Sequence, residues 1–95
     1  YCQMPYDWWW AGDDQGNHAA ISLYAYGEGV QNAEWPGVLM TEVDEANHIW
    51  SIEADLSAYT HVIFARSCKE NNDNWGAKTG DLLLSERGEN DMYVI

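Results

Sequence analysis

Positive charge is the scarcest commodity in this chain. Four Lys and Arg stand against 16 Asp and Glu, giving a formal charge of −12. That balance argues against nucleic acid, because no basic surface exists to replace condensed counterions. Anionic membranes are disfavoured for the same reason. A neutral ligand, a cation or a basic partner is compatible with it, and the plainest role of the acids is to keep the surface soluble. Phenylalanine is nearly missing too: one Phe accompanies six Trp and six Tyr. A chain using aromatics only for core packing would favour Phe, since a buried Trp or Tyr must also satisfy its N–H or O–H. The bias suits half-exposed rings that meet a polar ligand. No stretch approaches the roughly 20 apolar residues of a membrane span, although 46% of residues are hydrophobic. Only two cysteines occur, Cys2 and Cys68. They allow one disulfide or two free thiols, and their spacing matches no zinc or redox motif. With 95 residues the chain is a single domain spanning 1–95, too small to house a deep catalytic cleft comfortably.

Helical periodicity is likewise absent: no segment holds it for ten residues, and there is no internal repeat or low-complexity tract. Short runs separated by turn residues predict strands at 1–4, 6–10, 19–26, 38–43, 48–53, 59–66, 81–84 and 91–95, the last two forming a pair. Residues 44–47 read as a hairpin connection and 67–74 as a polar loop. A short helix at 54–59 is the main competing assignment. Seven to eight short strands make an all-β, antiparallel sandwich.

Side chains alternate between the faces of a strand. In Ile21-Ser22-Leu23-Tyr24-Ala25-Tyr26 the aliphatic residues 21, 23 and 25 share one face, which must be the core. Tyr24 and Tyr26 then turn outward side by side, about 6.5 Å apart. Trp35 follows nine residues later, before Pro36 and Gly37, so a fixed turn can hold its ring beside the tyrosines. Such rings suit sugars, which have a face of C–H bonds and a rim of hydroxyls. Burying roughly 60 Å² of apolar surface per contact gives about 1.5 kcal/mol per ring. Three rings give about 4–5 kcal/mol gross, hence millimolar to micromolar affinity once association costs are met. The alternative is that Tyr24 and Tyr26 fill a covered sheet face as cross-strand partners and Trp35 plugs the core.

These residues carry a resemblance. Tyr24-Ala25-Tyr26 followed by Trp35-Pro36-Gly37-Val38-Leu39-Met40 resembles the starch-binding carbohydrate-binding modules of family 26, relatives of families 25 and 53. His48-Ile49-Trp50-Ser51-Ile52, Val62-Ile63-Phe64 and Lys78-Thr79-Gly80-Asp81-Leu82 match later, more generic stretches of that family, so the likeness runs from about Leu23 to the C-terminus. It implies an immunoglobulin-like β-sandwich, excised from a larger secreted bacterial protein and working outside the cell or on its surface. It also implies a non-catalytic, monomeric module without cofactor, tethered to other domains, whose ligand is an α-1,4-glucan such as maltooligosaccharides, amylose or amylopectin. The family's glucan-gripping aromatics map to Tyr24, Tyr26 and Trp35. Lys78 stands where the family has a polar glutamine, and it can donate to a sugar hydroxyl but not accept from one. Gly27 stands near where the family often has a tryptophan.

Trp9, Trp75 and Arg66 complete the candidate ligand-binding set. Trp8-Trp9-Trp10 cannot lie wholly on one face, so a second glycan-contacting surface competes there with core packing. Arg66 falls with Val62 and Phe64 if its strand is regular, or marks an exposed end within reach of a hydroxyl or of Asp81. Asp13, Asp14 and Asn17, like Asn71, Asn72, Asp73 and Asn74, lack the Asp-x-Asp-x-Asp-Gly run of a calcium loop. They read as solvated loops, so no metal is expected. His18, His48 and His61 are scattered, each structural or exposed. Cys68 has no nucleophile signature, and 16 acids guarantee carboxylate pairs by chance, so no catalytic residue is assigned. Two other readings stand beside starch binding: a protein-interaction or adhesion domain whose acidic face meets a basic partner, and a module for a β-linked glycan, which needs a flatter platform.

Overall fold

The computed structural model describes residues 1–3, 16–44, 46–86 and 93–94. The protein is an all-β sandwich, as its alternating runs lead one to expect. The strands are β1 (Cys2–Gln3), β2 (Ala19–Gly27), β3 (Val30–Gln31), β4 (Val38–Leu39), β5 (Thr41–Asp44), β6 (Ile49–Ser51), β7 (His61–Cys68), β8 (Asn74–Lys78), β9 (Leu82–Leu83) and β10 (Tyr93–Val94). One sheet runs β10-β1-β6-β5; the other runs β3-β2-β7-β8, with β4 added to β2 and β9 to β7. All pairs are antiparallel except β1 with β10.

The spine is β2 against β7, paired without a break from Ala19↔Cys68 to Tyr26↔His61. Facing partners share a side of the sheet. Leu23 with Phe64 and Ala25 with Val62 therefore point together into the core. Across the interior they meet Cys2, Met40 and Trp50, and Phe64 packs edge-on against Tyr93 at 5.3 Å, joining the two sheets. Ser22, Tyr24 and Tyr26 face the other way, opposite Ala65, Ile63 and His61.

Several expected boundaries moved. The single strand expected at 38–43 is two strands in different sheets: β4 pairs β2, while β5 pairs β6. Buried Met40 makes the crossing and anchors it, its N–H donating to Ile21 O at 2.8 Å. Among the described residues the expected pairing of 81–84 with 91–95 is replaced, for β9 pairs β7 and β10 pairs β1. The expected loop at 67–74 is shorter, since β7 continues to Cys68 and β8 begins at Asn74, with a register shift between them. No helix forms at 54–59. The hairpin at 44–47 is present, and Asn47 Nδ2 donates to Asp44 Oδ2 at 2.8 Å. Cys2 and Cys68 are both buried, free thiols, and burial pushes the Cys2 thiol up to about 12. The expected strand at 6–10, with Trp8, Trp9 and Trp10, and the pair Asp13 and Asp14 lie outside the described residues.

Candidate functional site

The outward face of β2 builds the site. Its alternation places Tyr24 and Tyr26 two residues apart on the same side, over Ile63, which is buried yet stands apart from the inter-sheet core. The two rings are 5.6 Å apart with planes 30° from parallel. That centroid spacing and angle are those of an offset-stacked pair, the rings overlapping in part. Both tyrosines are half-buried rather than fully exposed.

Each phenol is tied down. Tyr24 donates to Gln31 Oε1 at 2.7 Å, and Tyr26 donates to Asp81 Oδ1 at 2.6 Å. The hydrogen bond to Asp81 holds the Tyr26 phenol in its neutral form and raises its pKa to about 12. The tethers fix ring orientation before any ligand arrives, which lowers the ordering cost of binding. Each phenol oxygen retains acceptor capacity toward a ligand hydroxyl.

Trp35 reaches this face through a turn pinned directly onto β2. The edge of β2 is covered by β3 at one end and β4 at the other. Between them Asn32 acts as a side-chain strand: Ala25 N donates to its Oδ1 at 3.0 Å, and its Nδ2 donates to Leu23 O at 3.0 Å. Residues 33–37 then swing over the outer face. The Trp35–Pro36 peptide is cis, and Gly37 has φ +98°. A Cβ on Gly37 would lie 2.0 Å from Leu23 O and 2.8 Å from Tyr24 Cα, so only glycine lets the turn sit this close to the strand. From the other side Asn72 Nδ2 donates to Gly37 O at 2.9 Å, while Ser22 Oγ donates to Asn72 Oδ1. Ser22 in turn exchanges a hydrogen bond with Ser67 at 2.9 Å. The Trp35 ring arrives 5.3 Å from Tyr24 with its plane at 70°, and it is 37% exposed. Tyr24 and Trp35 thus form a floor and a wall, not one flat surface.

The structure adds one ring that the sequence reading left unassigned. His61 lies opposite Tyr26 and stacks on it at 5.2 Å, 12° from parallel. Its row could be found only from the β2–β7 register. Lys78 is exposed and shares the outer face, opposite Ala65. Arg66 and Trp75 do not join the group. Arg66 pairs with Ile21 on the core side, and its guanidinium sits 4.7 Å over the Trp75 ring. Asp81, a partner open to Arg66 in the sequence, serves Tyr26 instead.

The asparagine-rich turn is committed to its own backbone: Asn71 Oδ1 accepts from Asp73 N and Asn74 Oδ1 from Gly76 N. His18 is held by Glu70, 2.8 Å from its Nδ1. Among the described residues, hydrogen bonds lower the carboxyl pKa values of Asp44, Asp55 and Glu70, with Asn47, Ser57 and His18 as their respective partners. A crevice of about 130 Å³ opens between the sheets. Leu23, Met40, Val62 and Phe64 are among its walls, and among the described residues no carboxylate, histidine or cysteine lines it. No protein family matches the chain, and neither a curated protein nor a solved structure is significantly similar to it.

Proposed function

We propose that the protein is a non-catalytic module that binds starch-type α-1,4-glucan, with Tyr24, Tyr26 and Trp35 stacking on the sugar rings and Lys78 contributing at the margin. The observation that carries this reading is the 70° angle between Trp35 and Tyr24. A flat, β-linked chain needs coplanar rings, whereas a floor and a wall follow the curved surface of an α-glucan. Tethered phenols on a paired strand supply a preformed site. The ring contacts sum to about 4–5 kcal/mol gross, which places a single site in the millimolar to micromolar range. Affinity of that order is useful when the module is joined to other domains, in a protein that meets starch outside the cell. A glycan array tests the assignment: signal should concentrate on α-1,4-glucans. Equal or stronger signal on β-1,4-glucans would sink it.

A further inference from the structure

We propose that His61 is a fourth ligand-stacking ring of this site, extending it so that affinity depends on the length of the glucan chain; the proposal rests on the glucan reading above. Three observations converge on it. The imidazole is nearly parallel to Tyr26, 12° apart at 5.2 Å, so it adds a ring to the cluster of Trp35, Tyr24 and Tyr26 on the outer face. It is half-buried, and it faces away from the core because it pairs with Tyr26. The row does not stop there. On the other side of His61 its cross-strand partner is Leu83, which is 39% exposed and prolongs the apolar surface across β9.

The hydrogen bonding of His61 fits a contact role. Its Nδ1 exchanges a hydrogen bond with Thr60 Oγ1 at 2.7 Å, which fixes the ring plane. The Nε2 on the opposite edge is then the nitrogen available to a sugar hydroxyl, and a neutral imidazole can donate or accept there. A short oligosaccharide centred on Trp35 and Tyr24 fills the first rings only. A longer one reaches His61 and then Leu83.

Calorimetric titration with the series from maltotriose to maltoheptaose tests this on the intact chain, comparing wild type with His61→Ala and His61→Phe. Affinity of the wild type should rise along the series. His61→Ala should lose roughly tenfold at maltoheptaose, the worth of one ring contact, and markedly less at maltotriose. His61→Phe, which restores a ring, should recover most of the length dependence even where the alanine variant folds poorly. Equal losses at every length would mean that His61 only buttresses Tyr26, and no loss would mean that it touches nothing; either result overturns the proposal while leaving the glucan reading intact. A wild type that binds no member of the series overturns both.

Discussion

Tyr26 is the site residue whose phenol the fold holds in its neutral form. Its phenol donates to Asp81, and loss of that proton would set two negative oxygens 2.6 Å apart. The folded-state pKa, about 12, therefore stands above the ordinary tyrosine value of 10.0. The sign follows directly: the bond contributes fully below pH 10 and is lost as pH rises through about 12. Phenolate absorbance during alkaline titration should show a step near pH 12 in the wild type that Asp81→Asn brings back toward pH 10. Superimposable titrations of the two proteins would contradict the bond. At this scale the sequence was a good guide to Tyr24 and Tyr26, whose shared face follows from alternation alone. It was a poor guide to His61, because stacking on Tyr26 depends on a register between strands that are 35 residues apart in sequence. Arg66 does share the face of Val62 and Phe64, as a regular strand implies, while its contact with the Trp75 ring depends on the β7–β8 pairing. Nothing in a single strand reveals which partner side chain will lie across from it.

Among the elements, the Trp35-Pro36-Gly37 turn is the one on which the site depends. Its position is held by a glycine that cannot accept a Cβ and by the Asn72 amide, itself set by Ser22. Gly37→Ala should destabilise the protein by about 1–3 kcal/mol, through strain at positive φ and collision with the β2 backbone. Chemical denaturation measures this; a change within about 0.5 kcal/mol, the range of a neutral surface substitution, would mean that the turn does not rest on β2. Asn72→Ala removes a donor to Gly37 O and an acceptor for Ser22, which keeps its bond to Ser67, at a cost of about 1–3 kcal/mol. It should also blue-shift or broaden the Trp35 signals in tryptophan-resolved NMR. Unchanged stability would contradict the latch. The Trp-Pro-Gly run was legible as a turn from its residues. Its seat on β2 was not, and neither was the division of 38–43 between two sheets at Met40. A crossing from one sheet to the other keeps the extended backbone and the apolar pattern of one strand, so only the hydrogen-bond partners expose it.

For the whole molecule, the question is how a surface of formal charge −12 binds anything. Stacking on a neutral glucan involves no net charge on the ligand, so raising salt from about 0.05 to about 0.5 M should change its affinity less than twofold. A basic protein partner steered by the acidic surface would lose affinity steeply over the same range. The all-β sandwich was evident from short alternating runs and turn residues. The pairing of β10 with β1 was not, because closing the sheet there is a global property of the chain. The most direct measurement is electrophoretic retention of wild type and Trp35→Ala in gels containing amylose or amylopectin. The wild type should be retarded and the variant should run as it does in a gel without glucan. Equal retardation of the two would contradict a binding site built on the Trp35–Tyr24–Tyr26 face.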